Sequence, residues 1–283
     1  PIVRPFPTGL DVFASLGSRV TLFNRSMGML THHDFDIATR FTELFGQRVD
    51  LRLGRVPDSI TSAPDGSIVL HDPRVEPVAV DALLVATGRR PNSDLIDAEA
   101  GGLTVDDDGM IEVDAQMRTN VPGVWAIGDV ANEWQLKHVA NEEARVAFWN
   151  IAHPDEPREV DHSAVPSAVF SHPQIATVGL TEQAALADGR DVVIGHRDYG
   201  GTAYGWALAD ETSFAKVIVE RSTGLIVGGH VLGPQAATLI QPLITAIQFG
   251  QRAHDVAHGQ YWIHPALTEV IENSLLDALA QLG

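Results

Sequence analysis

The sequence predicts an α/β region followed by an α+β domain. Over the first part of the chain, short apolar strand-like runs alternate with helical patterns, as in doubly wound parallel sheets. In the last third, two strand-like runs with period-two alternation meet at Thr223-Gly224, and amphipathic helices follow. The chain has 283 residues, which is enough for two or three domains.

Apolar spacing predicts the elements of the first region. It indicates a strand stub, a helix, a buried strand and a second helix, at residues 2–3, 8–16, 19–23 and 35–44. Asp65-Gly66 before the run 67–70 predicts a hairpin.

The middle of the chain contains two further apolar runs. We predict a buried strand over 82–86 and a short strand over 124–127, followed by a helix over 142–151. The run from Asp106 to Gly109 lacks the alternating ligands of a calcium loop, so it predicts an acidic turn.

The last third has the pattern of an antiparallel hairpin with packed helices. The hairpin is predicted over 214–219 and 225–227, one helix over 236–249, and a final helix from Pro265, since proline is favoured at the first helical position.

Composition excludes several function classes. A formal net charge of −18 is unsuited to phosphate neutralisation, so we predict no nucleic-acid partner. No apolar run approaches the roughly 20 residues that span a bilayer, and no signal-peptide pattern occurs; we therefore predict a cytoplasmic protein without a membrane partner. The absence of cysteine rules out a cysteine nucleophile within the chain. No His-Glu-His spacing occurs, and we predict no metal.

An imidazole and a carboxylate near the end of the chain form the first candidate site. Residues before proline avoid helical geometry, so His264 should lie outside the helix that contains Glu269. The carboxylate can then bind one ring nitrogen, fix the tautomer and raise the basicity of the imidazole. Glu272 is a competing partner, and a capping histidine beside a solvated glutamate fits the same residues.

Two other motifs follow apolar runs, at the strand ends where doubly wound sheets bind ligands. Gly128-Asp129 places a permissive glycine beside a carboxylate that can accept hydrogen bonds from polyol hydroxyls. Thr87-Gly88 precedes Arg89-Arg90, which can contact phosphates or stay solvated. Both motifs also fit simple turns.

Arg25 is a candidate for nucleotide binding. It follows the run 19–23, at the position where a dinucleotide-binding fold recognises the adenosine ribose. An arginine at that position favours NADP over NAD. An exposed loop arginine is the alternative. The expected Gly-x-Gly-x-x-Gly loop is absent, and Pro5 and Pro7 remove amides that would hold a pyrophosphate. The prolines therefore argue against dinucleotide binding by this chain.

Taken in order, these motifs resemble those of the pyridine nucleotide–disulfide oxidoreductases, the class I flavoprotein disulfide reductases. The segments that carry the resemblance are 86–92, 126–130, 169–182 and His264-Pro265 with Glu269. The resemblance extends over nearly the whole chain after residue 17. Within the family, the segments 261–267 and 269–273 are most similar to the mycothione reductases.

The resemblance implies a homodimeric enzyme that uses NADPH and FAD to reduce a small-molecule disulfide through a cysteine pair. It implies that His264 is the acid–base catalyst at the partner subunit's site and that Glu269 orients it. Asp129 would bind the ribityl hydroxyls of the flavin, and a helix starting near Leu136 would direct its positive end towards the flavin. The cofactor-binding residues are then Thr87, Gly88, Gly128, Asp129, Leu136, Lys137, His138 and Arg25.

The resemblance also implies three parts: a partial NAD(P)-binding domain (1–85), the C-terminal part of an FAD-binding domain (86–160) and a dimerisation domain (161–283). We expect the family's N-terminal FAD half and its redox cysteines to be missing, so the chain alone should be inactive. Two alternatives are a non-catalytic dimerisation module or decayed fragment, and a dihydrolipoamide dehydrogenase-like enzyme. The identity of the disulfide is left open.

Overall fold

The computed structural model describes residues 6–282. Two compact units are present: residues 87–165 form the smaller one, and residues 6–86 together with 166–282 form the larger one. The predicted strand stub at 2–3 lies outside the described residues.

The larger unit begins with a helix that is followed by a β–α–β arrangement. Helix α1 (Phe6–Ser15) is followed by strand β1 (Thr21–Asn24), helix α2 (Phe35–Gly46) and strand β2 (Asp50–Leu53). The two strands pair in parallel, which a helical crossover between them allows. Helix α2 buries Ile37, Phe41 and Phe45, the apolar face that holds it in place. The two predicted helices and the predicted strand are confirmed.

A three-stranded antiparallel sheet comes next, and it includes the predicted hairpin. Its strands, in spatial order, are β3 (Ser59–Ser62), β4 (Ile68–His71) and β5 (Val78–Val80). In the turn between β3 and β4, Asp65 accepts hydrogen bonds from the backbone N–H and the hydroxyl of Ser67, at 3.0 and 2.8 Å. This Asx turn favours the reversal of the chain.

The prediction of a buried strand over 82–86 is wrong. These residues form no strand, and the side chains of Leu84 and Val85 are 53% and 68% exposed. A parallel strand is buried only when neighbours pair its backbone and helices cover its faces. Within the described chain, the sheet of β1 and β2 contains no third strand, so the apolar run has nothing to pair with.

The smaller unit consists mostly of loops around one long helix. Helix α3 (Lys137–Ala152) confirms the predicted helix and starts five residues earlier; a 3₁₀ turn covers Gly128–Val130. The predicted strand over 124–127 is wrong, because the segment contains only the bridge between Trp125 and Arg118. The loops of this unit enclose a small apolar core that consists of Ala98, Ile111 and Ala126.

The acidic turn is confirmed. One carboxylate oxygen of Asp106 accepts the backbone N–H groups of Asp108 and Met110 at 2.9 and 2.8 Å. The aspartate therefore closes its own loop, as expected of an Asx turn.

The rest of the larger unit is a five-stranded antiparallel sheet with helices. The strands are β6 (Ser167–Val169), β7 (Ile175–Gly179), β8 (Val192–Asp198), β9 (Phe214–Glu220) and β10 (Ile226–Leu232). Their order in the sheet is β6-β7-β10-β9-β8. The helices are α4 (Glu182–Ala187), α5 (Ala203–Ala207), α6 (Ala236–Leu239), α7 (Gln241–Gln248), α8 (Ala253–His258) and α9 (Glu269–Ala280). The predicted hairpin corresponds to β9 and β10 and is confirmed.

Two helix predictions are wrong in detail. The helix predicted over 236–249 is divided into α6 and α7, because Pro242 has no N–H to continue the first helix. The helix predicted from Pro265 begins at Glu269, since the preceding turn is closed by i→i+3 bonds, among them Glu269 N–H to the carbonyl of Ala266 at 3.2 Å.

Helix α9 lies directly on the sheet. A Cβ at Gly195 on β8 would collide with the carbonyl oxygen of Ser274, so only glycine permits this approach. The hydroxyl of Ser274 donates to the carbonyl of Val270 at 2.7 Å and lies 3.3 Å from that of Ala215 on β9. The sheet therefore fixes the position of α9 and of Glu269 at its start.

A buried lysine joins three segments of the larger unit. Lys216 on β9 is 1% exposed, and its ammonium lies 2.9 Å from Asp34, 2.6 Å from Asp36 and 2.6 Å from Glu182. Asp34 also caps α2 and accepts the N–H of Glu182 at 3.1 Å. Burial alone would lower the pKa of Lys216, but the three carboxylates raise it above its ordinary value, so the lysine is charged at neutral pH.

We expect Lys216→Met to lower the free energy of unfolding by about 3–5 kcal/mol, because it leaves Asp34 as a buried charge without its cation. Urea unfolding measures the change. Lys137→Met, at an exposed lysine, serves as the control and should cost less than about 0.5 kcal/mol. Equal losses in the two variants would contradict the role of the buried ion cluster.

A buried histidine makes the larger unit sensitive to acid. His33 is 9% exposed, and its Nδ1 has no hydrogen-bond partner among the described residues. Burial, reinforced by His230 and His32 and opposed by Asp34, lowers the pKa of His33 from its ordinary 6.5 to about 4. Between these pH values the unfolded chain binds a proton that the folded chain does not, so stability falls as the pH falls.

Between pH 6.5 and pH 4 the free energy of unfolding should fall by about 3 kcal/mol because of this one group. We expect His33→Gln to lose less stability than the wild type over this range in urea unfolding at several pH values. His254→Gln, at an exposed histidine of the same unit, is the matched control and should follow the wild type. An identical acid loss in all three proteins would rule out His33 as the origin.

Candidate functional site

His264 and Glu269 are brought together by the turn before α9. Nδ1 of His264 lies 2.8 Å from Oε1 of Glu269, and the other carboxylate oxygen accepts the N–H of Ala266 at 3.3 Å. An ionised carboxylate can only accept, so Nδ1 donates the proton. This leaves Nε2 as the unprotonated nitrogen of the neutral ring. The bond goes to Glu269, which was one of the two glutamates that the spacing allowed.

The two side chains differ in exposure. His264 is 67% exposed, whereas Glu269 is 15% exposed. The carboxylate is therefore held by its surroundings, whereas the imidazole ring is largely open to solvent. Such an arrangement can accept and return a proton at Nε2.

A shallow cleft of about 520 Å³ opens beside His264. Its lining includes Thr202, Pro265 and two aromatic residues, Tyr204 and Trp206. Trp206 is 76% exposed and Tyr204 is 39% exposed. Apolar and aromatic side chains with a few polar groups are the usual lining of clefts that bind small molecules, and this cleft has a lining of that composition.

In the smaller unit, Gly128-Asp129 packs against α3. Gly128 has a left-handed φ of 72°, and a Cβ at this position would lie 3.3 Å from that of Ala140. Glycine therefore permits both the turn and its contact with the helix. Asp129 is half-exposed and accepts a hydrogen bond from Arg89 at 2.9 Å. This ion pair brings the segment after Thr87 and Gly88 to the turn.

The predicted helix start is present at Lys137, with Leu136 as the capping residue. Leucine has no side-chain acceptor, so it satisfies none of the first N–H groups of the helix through its side chain. His138 follows, and Lys137 contacts Asn141 one turn on. The helix start can therefore receive a polar or negatively charged group.

Glu143 is a site residue that sequence reasoning missed. It is fully buried on α3 and accepts the N–H of Gly128 at 2.7 Å. The amide of Asn132 donates to its two oxygens at 2.8 and 2.9 Å. A signal was available, because Glu143 lies on the same helical face as the buried residues Val139 and Val146, where a charged side chain requires partners.

The remaining predicted residues lie at the surface. Arg25 is exposed in the loop after β1, and Thr87 and Gly88 are exposed at the start of the smaller unit. Among residues 6–282 there is no cluster of side chains suited to a metal ion, and no helix of that part has the length and apolarity needed to cross a bilayer.

Comparison with known proteins identifies the family. The pyridine nucleotide-disulphide oxidoreductase model matches residues 9–144, and the model of the family's dimerisation domain matches residues 165–275. The chain is 47% identical over 270 residues to mycothione reductase of Mycobacterium tuberculosis, covering 94% of this chain and 58% of that protein. It is 36% identical over 272 residues to dihydrolipoyl dehydrogenase of Halobacterium salinarum, covering 95% of this chain and 57% of that protein.

A solved structure gives the same relationship. The Cu(II) complex of the HOCl-induced flavoprotein disulfide reductase RclA from Escherichia coli matches with a TM-score of 0.87 and 25% identity, covering 100% of this chain and 63% of that chain. The chain thus spans less than two thirds of the relatives that it matches. It belongs to the pyridine nucleotide-disulphide oxidoreductase family.

Proposed function

We propose that the chain is the C-terminal portion of an NADPH-dependent, FAD-containing reductase of a low-molecular-weight disulfide, of the mycothione reductase type. The observation that supports this proposal most strongly is the hydrogen bond of 2.8 Å between His264 and Glu269. The identity of 47% to a mycothione reductase supports the substrate class, and Arg25 after β1 supports NADP.

The overall reaction that we propose consumes NADPH, a proton and one disulfide, and yields NADP⁺ and two thiols. FAD, when bound, would transfer the two electrons from the nicotinamide to a cysteine pair. The chain contains no cysteine. The pair would therefore belong to a part of the protein outside these 283 residues, or to another chain, and the chain alone is expected to be inactive.

In this proposal His264 is the catalytic acid and base. Its Nε2 accepts the proton of an attacking thiol, whose sulfur bonds to one sulfur of the substrate as the disulfide bond breaks. The same nitrogen then returns the proton to the departing thiolate. Glu269 keeps Nδ1 as the donor and stabilises the imidazolium between the two steps. Proton transfer of this kind contributes about 10²–10⁴-fold to the rate.

We propose that the cleft beside His264 receives part of the disulfide substrate and that two copies of the protein form a homodimer. The segment matching the dimerisation domain exposes large apolar side chains, including Tyr261 at 103% and Ile263 at 75%. Exposed apolar surface of this kind is typical of an interface. In the homodimer, His264 would serve the cysteine pair of the partner subunit.

The residues of the smaller unit fit the flavin. The half-exposed carboxylate of Asp129 can accept hydrogen bonds from polyol hydroxyls, and the start of α3 can face an electron-rich part of the ring system. We propose that FAD contacts the exposed strand-end residues, the turn and the helix start: Thr87, Gly88, Gly128, Asp129, Leu136, Lys137 and His138. The division into parts at 1–85, 86–160 and 161–283 is proposed with it.

A second candidate is a dihydrolipoyl dehydrogenase-like enzyme, which would oxidise a dithiol with NAD⁺. The 36% identity to such an enzyme favours it. The same His264–Glu269 pair would then accept protons from the dithiol. Assays of the protein that contains this chain, with mycothione and NADPH and with dihydrolipoamide and NAD⁺, separate the two candidates.

We expect NADPH-dependent reduction of the disulfide by the protein that contains this chain, measured as NADPH oxidation. His264→Gln should lower kcat by roughly 10³-fold, because it removes the acid and base. Glu269→Gln should lower kcat by roughly tenfold or more, since a carboxamide stabilises the imidazolium less well than a carboxylate and can favour the other tautomer.

Glu272→Gln is the matched control, one helical turn further along α9, and should retain the wild-type rate. No turnover of any disulfide by the wild-type protein would contradict the proposed function. Equal effects of the changes at Glu269 and Glu272 would contradict the assigned role of Glu269.

A further inference from the structure

We propose that Glu143 and Asn132 are positioning residues for the cofactor site. Together they hold the Gly128-Asp129 turn and the segment leading to α3 in the arrangement that receives the flavin. This inference rests on the proposed function, because it takes the turn and the helix start as the flavin-binding elements.

The carboxylate of Glu143 fixes the turn from inside the smaller unit. Its Oε2 lies 2.7 Å from the backbone nitrogen of Gly128, and Gly128 is itself buried. The bonded amide is adjacent to Asp129, whose side chain is 52% exposed. Anchoring the amide therefore fixes the backbone from which the exposed carboxylate projects.

Asn132 connects the buried carboxylate of Glu143 to the segment before α3. Its amide nitrogen donates to both oxygens of Glu143 and, at 3.0 Å, to the carbonyl of Gly128. Its carbonyl oxygen accepts the N–H groups of Trp134 at 2.9 Å and Gln135 at 3.2 Å. Gln135 directly precedes Leu136, the capping residue of α3. One side chain thus links the turn to the start of the helix.

The hydrogen-bonded group formed by Glu143, Asn132 and the amide of Gly128 includes a buried charge. Glu143 is 0% exposed, and burial of a carboxylate is costly unless hydrogen bonds compensate for the lost water. The N–H groups from Gly128 and Asn132 provide that compensation, and Nε2 of His162 lies 3.3 Å from Oε1. A helix could fill the same space with an apolar residue, but an apolar residue could not hold the backbone N–H of the turn.

A purely structural role and a positioning role differ in what they affect. The carboxylate bonds to two groups of the turn region and not to the apolar core of Ala98, Ile111 and Ala126. Its loss should therefore loosen the turn more than it destabilises the unit. Ligand sites lose affinity when their contacting groups shift by fractions of an ångström.

Glu143→Gln in the protein that contains this chain tests the inference. The substitution keeps the size of the side chain and one oxygen for the N–H of Gly128, but it presents an NH₂ group to the NH₂ of Asn132. We expect the dissociation constant for FAD, measured by flavin fluorescence, to rise at least tenfold. The visible circular dichroism of bound FAD should change, and hydrogen exchange at Gly128 should accelerate, with little change in the Tm of the FAD-free protein, since weaker FAD binding by itself lowers the Tm of the bound form.

Glu142→Ala is the matched control on the same helix. Glu142 is 52% exposed and pairs with Arg145, so all four measurements should match the wild type. Wild-type FAD binding with unchanged affinity, dichroism and exchange in Glu143→Gln would overturn the inference and leave the proposed function intact. A wild-type protein that binds no FAD would overturn the proposed function itself.

Discussion

The larger unit depends on the contact between Lys216 and the carboxylates of Asp34, Asp36 and Glu182. Consecutive residues of a strand face opposite sides of the sheet. On one side of β9, Lys216 binds the starts of α2 and α4. The neighbouring residue, Ala215, contacts Ser274 of α9 through its carbonyl. The same strand therefore secures the starts of α2 and α4 and supports the helix that begins with Glu269.

Both candidate sites use a glutamate in the same way. Glu269 is 15% exposed and orients an exposed imidazole; Glu143 is fully buried and orients a glycine amide beside an exposed aspartate. In each case a shielded carboxylate accepts hydrogen bonds. The exposed group that would contact a ligand is either bonded to that carboxylate, as His264 is, or adjacent to the bonded amide, as Asp129 is. The supporting glutamates limit the conformations of the exposed groups, which is the requirement for proton transfer and for tight binding.

Local patterns were sufficient to predict part of this arrangement. The contact between His264 and Glu269 spans five residues, so the turn and helix spacing indicated a glutamate within reach of the imidazole, but it did not choose between Glu269 and Glu272. The hairpin at Asp65 and the β9–β10 hairpin followed from turn residues in the same way. The runs 82–86 and 124–127 were predicted wrongly, because apolar composition cannot specify which strands are available for pairing. The contact of Asp34 with Lys216 joins residues 182 apart, a distance at which sequence periodicity gives no information.

Glu269 sets the position of the proton on the neutral ring of His264. The most direct test is the tautomer of the neutral imidazole, measured by long-range ¹H–¹⁵N correlation NMR on protein labelled at histidine. The structure predicts a proton on Nδ1, where Glu269 lies 2.8 Å away, and an unprotonated Nε2. A neutral ring with its proton on Nε2 would contradict the account, because that nitrogen could not then accept a proton from a thiol.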